Sequence, residues 1–203
     1  LYEINTVTYL DKLSRKTGMT INLASIPDDE LRKIAELGFD AIWLMGIWQR
    51  SPVATAMAKN EPSLIEEAKN LLPDFSYDDM VGSAYSIKSY QVNEAFGGES
   101  ALLVLRERLK SFNLKLILDF VPNHSAIDAN WLDENPEYYV EATPEQAAEH
   151  PNWYFQKGQK FLALGRDPNF DAWSDVAQLN AFSPAYRDAS IETLTHIGTL
   201  ADG

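Results

Sequence analysis

An aspartate at the end of an apolar run, then an asparagine and a histidine four and five residues later, form the stretch of this chain best equipped for chemistry. Asp119 lies near the end of the run Leu114 to Phe120, and Val121-Pro122-Asn123-His124 follows directly. A run rich in Leu and Ile reads as a strand of a parallel sheet buried on both faces. Pro122 removes a backbone donor, so it stops the ladder and sets the direction of the turn. In barrels and open parallel sheets alike, ligands bind beyond the carboxyl ends of the strands. A carboxylate, an amide and an imidazole delivered there form the polar constellation that a ligand site needs. The same spacing fits equally well an aspartate and a histidine that satisfy the backbone groups of their own loop.

Other chemistry-bearing residues are scattered further along. Asp128, Asp133 and Asp175 are candidate cation ligands by residue type alone, and each also reads as an exposed carboxylate. Trp131, Trp153 and Trp173 could be platforms for a sugar ring or the packing material of a small subdomain, whereas Trp43 sits inside an apolar run and reads as core. With no cysteine among the 203 residues, disulfides, thiolate catalysis and thiolate metal sites are excluded. This also fits a reducing, cytoplasmic compartment. A formal net charge of −13 repels phosphate backbones and anionic lipid, which argues against nucleic-acid and membrane partners and says little about a neutral ligand. No apolar run is long enough to span a bilayer, and no leader pattern is visible, although a chain opening on Leu1 reads as cut at its start.

The elements that must position these residues alternate in type. Residues 3–10 are rich in β-branched and aromatic types and predict a strand. A helix is expected from Pro27 to about Leu37, with Ser25 and Asp28 as a capping box and Gly38 as its stop. Ala41 to Met45 predicts a second strand buried on both faces. Ser63 to Leu72 has helical spacing, and a clear helix is expected from about Glu99 to Phe112, closed by Asn113 before the strand that carries Asp119. Strand, helix, strand, helix, strand is the mark of repeated βαβ units with a parallel sheet. From Pro122 to about Pro184 aromatics, prolines and acidic residues replace this pattern, too long a stretch for a plain loop. Tyr186 to Leu200 returns to a helix with Ile191, Leu194 and Ile197 along one side, and Ala201-Asp202-Gly203 would begin another strand.

The Asp-Phe-Val-Pro-Asn-His segment, 119–124, resembles the first signature region of the α-amylase superfamily (glycoside hydrolase family 13). Trp48-Gln49-Arg50-Ser51-Pro52 is similar to the family's turn after its second strand. Gly82-Ser83-Ala84-Tyr85, with Tyr90 and Phe96-Gly97-Gly98 beyond, resembles the segment before its second helix. Gly165-Arg166-Asp167-Pro168, then Phe170, Trp173, Asp175 and Gln178-Leu179-Asn180, looks like the end of the inserted domain in one bacterial branch. One departure stands out: the family usually carries an aspartate between Gln and Leu-Asn, and here Gln178 is followed directly by Leu179.

The resemblance implies an α/β fold, a partial (β/α)8 TIM barrel with strands 1–3 and the start of strand 4, interrupted by an irregular inserted subdomain after strand 3. Residues 1–121 would form the first part of the barrel, 122–183 the insertion and 184–203 the return to the barrel. It implies that Tyr85 stacks on the sugar at the cleavage subsite and His124 hydrogen-bonds that sugar. Asp119 would support an arginine that orients the nucleophile, and Asn123 would match a calcium ligand. The implied substrate is an α-glucan or maltooligosaccharide, cleaved with retention at α-1,4 or related bonds. Such chemistry needs two carboxyl groups about 5–5.5 Å apart, which the family places on later strands, so the chain itself is expected to be inactive. A transglycosidase of trehalose or sucrose type, or a non-catalytic relative, shares the same N-terminal motifs.

Overall fold

The computed structural model describes residues 1–167 and 169–203; Pro168, part of the Gly165-Arg166-Asp167-Pro168 motif, lies outside the described residues. In chain order the elements are β1 (Tyr2–Asn5), α1 (Thr6–Thr17), α2 (Asp28–Glu36), β2 (Ala41–Met45), β3 (Trp48–Arg50), α3 (Pro52–Ala58), α4 (Pro62–Leu71), β4 (Ile87–Val92), α5 (Gly98–Lys110) and β5 (Lys115–Ile117). There follow β6 (His124–Ala126), α6 (Asn130–Glu134), β7 (Glu141–Ala142), α7 (Pro144–Glu149), β8 (Tyr154–Lys157), β9 (Lys160–Gly165), β10 (Trp173–Gln178) and α8 (Pro184–Leu200). They divide into two compact units, one of residues 1–49, 90–120 and 191–203, the other of residues 50–89 and 121–190.

The first unit is built on a parallel sheet in the order β1-β2-β5. Ile42 stands opposite Tyr2 on one side and Leu116 on the other. Beyond β5 the Asp202 N–H donates to the Leu116 carbonyl at 2.8 Å and the Leu118 N–H donates to the Gly203 carbonyl at 3.0 Å. Those slanted bonds are how a parallel neighbour begins, so the segment expected to open another strand does lie along β5. The strand expected over 41–45 forms as read, yet its burial alternates: Ile42 and Leu44 are buried while Trp43 is only half-buried. One face, carrying Ile42, Leu44 and Leu116, takes part in the core with Leu102, Leu105 and Leu109 of α5. Trp43 lies on the other face, which is why it is not the core residue expected.

Residues 3–10 do not form one strand. The strand ends at Asn5, whose side chain accepts from the Thr8 N–H and starts α1. Thr6, Leu10 and Leu13 recur at helical spacing and are buried, and this packing overrides the strand preference of the β-branched residues. Ser25 also acts elsewhere than expected: it shares a capping box with Asn22 around a short 3-10 turn, and α2 begins after Pro27 without a side-chain cap. Asn113 closes α5 as expected, at φ 56°, a conformation asparagine tolerates better than most residues.

The second unit holds most of the difference from expectation. Where an irregular insertion was expected, an antiparallel sheet runs in the order β6-β10-β9-β7, with β8 also paired to β9. Val176 faces Ala126 and Gln178 faces His124 across it. Its core gathers Ala126, Leu132, Leu162, Ala177, Leu179 and Tyr186, with Trp131 packed against them. Two buried hydroxyls are satisfied there: Tyr186 donates to the Pro122 carbonyl at 2.7 Å, and Tyr139 and Ser125 share a bond of 2.7 Å. Along α8 the buried positions are Tyr186, Ile197 and Leu200, while Ile191 and Leu194, expected on its apolar side, are exposed.

Asp202 gives the first unit a pH-dependent tie. Its carboxylate accepts from the Leu116 N–H at 2.9 Å and from Arg106 at 2.7 and 3.0 Å. Burial alone would raise its pKa, but the Leu116 N–H and the Arg106 guanidinium outweigh burial and hold the carboxyl below its ordinary value. A carboxyl lowered in the fold stabilises fully above its unfolded pKa, near ~3.9, and less as pH falls through the folded value. Asp202→Asn should therefore narrow the stability difference between pH 7 and pH 3 in urea titrations; an unchanged difference would exclude this tie.

Candidate functional site

Three segments of the second unit build a cavity of about 350 Å3. The first is the loop before β4. Gly82 sits at φ 73°, and a Cβ there would lie 2.7 Å from Thr55 Oγ1, so only glycine fits the turn. Arg50 Nη1 donates to the Gly82 carbonyl at 3.2 Å and Thr55 Oγ1 to the Val81 carbonyl at 3.1 Å, which ties the loop down ahead of Tyr85. The Tyr85 N–H donates to Ser83 Oγ at 3.1 Å, and the Ser86 carbonyl accepts from the Ser51 N–H at 3.1 Å.

The second and third segments are β6 and β10. His124 opens β6, and Trp173 and Asp175 come from β10. The His124 ring meets the Trp173 ring edge-on, with centroids 5.6 Å apart. Gly165 makes this approach possible, because a Cβ there would lie 2.7 Å from Val176, 3.3 Å from the Trp173 ring and 3.4 Å from the His124 Cβ. Asp175 accepts a hydrogen bond from Ser86 Oγ, which joins the loop's side of the cavity to the sheet's side. Burial lowers the pKa of His124, opposed by the charge of Asp175 and by a hydrogen bond to the Tyr85 backbone, and lowering wins. The imidazole is thus neutral at pH 7.

Tyr85 and His124, singled out in the sequence, are therefore brought together. Asp175, considered there only as a cation ligand, lines the same cavity, as does Trp173. Ser86 was missed, since a small residue beside a Gly-Ser-Ala-Tyr turn carries no signal of its own; Gly165 was seen only as part of a family-like motif, not as the glycine that lets His124 and Trp173 approach. Asp119 belongs to the first unit, with buried carboxylate oxygens and a backbone carbonyl that accepts from Trp48 Nε1 at 2.9 Å. Trp131 packs in the core rather than facing a cavity.

The residues around Asn123 do not fit a calcium ion. Calcium takes roughly six to eight oxygens, usually with carboxylates among them. Asn123 lines a second cavity of about 300 Å3, whose lining includes Gln178 and the cationic Arg166 but no carboxylate. The Arg166 guanidinium lies 3.6 Å over the Trp153 ring, whose partner is the stacked His150 ring at 3.9 Å. The Asn123 main-chain oxygen already accepts from Gln178 Nε2 at 2.8 Å and from the Leu179 N–H at 3.0 Å. Asp133 pairs with Lys157 at 2.7 Å, and Asp128 lies 3.9 Å from Lys88. Among the described residues, no group of three or more His, Asp or Glu side chains is placed to hold a metal.

Chemically, the first cavity offers two aromatic faces, a neutral imidazole, hydroxyls and one carboxylate. That is a set for holding a polyhydroxylated ring, apolar on its faces and polar at its rim. Among the described residues the lining holds one carboxylate, that of Asp175.

Comparison with known proteins bears on the same segments. The family model for the alpha-amylase catalytic domain matches residues 22–186. An alpha-glucosidase of Culex pipiens is 28% identical over 158 residues, which is 74% of this chain and 22% of that protein. Among solved structures, trehalose-6-phosphate hydrolase of Bacillus licheniformis superposes with a TM-score of 0.63 at 21% identity, over 98% of this chain and 32% of that one. An alpha-amylase from Lactobacillus plantarum gives 0.56 at 24% identity, over 89% of this chain and 33% of that one. At such identities the likeness speaks for the fold, an α/β arrangement similar to these enzymes. The chain spans about a third of the solved structures it matches and less of the glucosidase.

Proposed function

Because the chain belongs to the alpha-amylase family, we propose that the protein carrying it is a glycoside hydrolase that cleaves α-1,4 or related glucosidic bonds of α-glucans with retention. The observation that carries this reading is the convergence of Tyr85 and His124 in one cavity with Trp173 and Asp175. In it the Tyr85 ring stacks on the apolar face of a glucosyl unit, and stacking orients the ring without fixing its hydroxyls. His124, neutral at pH 7, hydrogen-bonds a hydroxyl, and Asp175 and Ser86 accept or donate at the rim. Asp119 acts at a distance, holding an arginine that aligns the nucleophile. No helix among the described residues is long and apolar enough to cross a membrane, and the strongly acidic balance disfavours nucleic acid as partner.

The test is the anomeric course of the reaction. Incubated with maltotriose and followed by proton NMR, the protein should release the α-anomer first. Release of the β-anomer first would exclude retention. Appearance of a new glucosidic linkage in place of free sugar would make the protein a transglycosidase. If it binds maltooligosaccharides yet converts no α-glucoside, it is a non-catalytic relative.

A further inference from the structure

Gln178 runs directly into Leu179, without the aspartate the resemblance expects between them, and its contacts give that departure a meaning. Its amide nitrogen donates to the Asn123 main-chain oxygen at 2.8 Å and to Asn123 Oδ1 at 3.0 Å. The turn after β5 is thereby tied to the last residue of β10, whose register partner is His124. We propose that the Gln178 amide, rather than the calcium ion the resemblance implies at Asn123, holds Asn123 in place, and that through Asn123 it decides which nitrogen of His124 carries the proton.

The tautomer follows from fixed points. A main-chain carbonyl can only accept, so the Gln178 atom facing the Asn123 oxygen is the NH2 group. The Asn123 atom beside that NH2 must then be Oδ1, which leaves Nδ2 on the opposite side. Asn123 Nδ2 lies 3.1 Å from His124 Nδ1. An amide NH2 donates only, so Nδ1 keeps a lone pair and the proton sits on Nε2. Hence Nε2 always carries the N–H, whether it meets the Tyr85 backbone or a ligand, and is never a bare nitrogen. A cation at the same place would orient Asn123 in the same way, but the cavity beside it carries Arg166 and no carboxylate, the reverse of what a divalent cation needs. Gln178 is thus a positioning residue, acting on the ligand only through Asn123 and His124. This inference holds whether or not the protein turns over a sugar.

Two measurements on the unaltered protein test it, and neither needs turnover. Its thermal midpoint should agree within about 1 °C between saturating calcium and excess chelator. A unit held by calcium at a hundredfold excess over Kd would instead lose about 5–10 °C on chelation, and such a loss overturns the proposal. In protein labelled with 15N-histidine, the signal that disappears in His124→Gln should show its proton on Nε2; a proton on Nδ1 overturns it. Gln178→Glu keeps the shape and removes the donor. It should lower the midpoint by about 2–6 °C, the scale of one or two lost hydrogen bonds in a chain of this size, and mix the His124 tautomers. Gln178→Met separates packing from bonding and should mix the tautomers as well. Variants that keep a pure Nε2–H tautomer would show that Gln178 positions nothing.

Discussion

Leu116→Ala should destabilise the first unit by about 2–5 kcal/mol, the range for emptying a leucine site in a packed core. Leu116 is fully buried at the middle of β5, opposite Ile42 of β2, in a core that includes Leu102, Leu105 and Leu109 of α5. Strands resist collapse into a void, because their backbones are held on both sides: β5 by β2 and by the Asp202 and Gly203 peptides. The cavity therefore stays open and its cost is kept. Total stabilities run to about 5–15 kcal/mol, so the loss is a large share. Urea titration should show a lower midpoint with an unchanged slope. Lys115→Ala, one residue earlier on the exposed side, should stay within about 0.5 kcal/mol. Equal effects at the two positions would mean that the buried face has been wrongly assigned.

The contrast between Leu116 and its neighbours shows what could be read in advance. Leu114 to Leu118 is apolar at every second position and more, so a strand there was plain, and α5 and the strand at Ala41 were equally legible. Their signal is local and long enough to have a period. The helix α1 was not legible, because Thr6, Val7 and Thr8 prefer strands and only the burial of Leu10 and Leu13 decides otherwise. The sheet of the second unit was hidden for a different reason. Its strands are short, and β6 pairs with β10 across some fifty residues, Ala126 with Val176, so nothing within a short window marks the pairing. Of the cavity, His124 showed by its place just after a strand, and Tyr85 only through its family-like turn. Asp175 was visible as a carboxylate but not as a partner of Ser86, since that contact depends on the hidden sheet. The departure at Gln178 could be seen, whereas its two bonds to Asn123 could not.

On the proposed function, His124→Ala should cut kcat/KM on maltooligosaccharides roughly 10²-fold or more. Hydrogen bonds to sugar hydroxyls strengthen as the ring approaches its oxocarbenium-like transition state and supply several kcal/mol there, and each 1.36 kcal/mol is about tenfold in rate. The loss should fall on kcat rather than KM, because a bond stronger in the transition state than in the ground state acts on the chemical step. Tyr85→Ala should behave differently. An aromatic face holds the bound ring and the transition state alike, so its removal raises KM, while Tyr85→Phe keeps the face and most of the binding. Because burial holds the His124 pKa below its ordinary value, the imidazole stays neutral to lower pH than an exposed histidine, and its contribution should fade only at a lower pH than an exposed histidine's would. Circular dichroism of His124→Ala should match the parent, as the ring lines a cavity rather than filling the core. A variant that folds normally and loses no more than twofold in kcat/KM would remove His124 from the site, and with it the observation on which the proposed function rests.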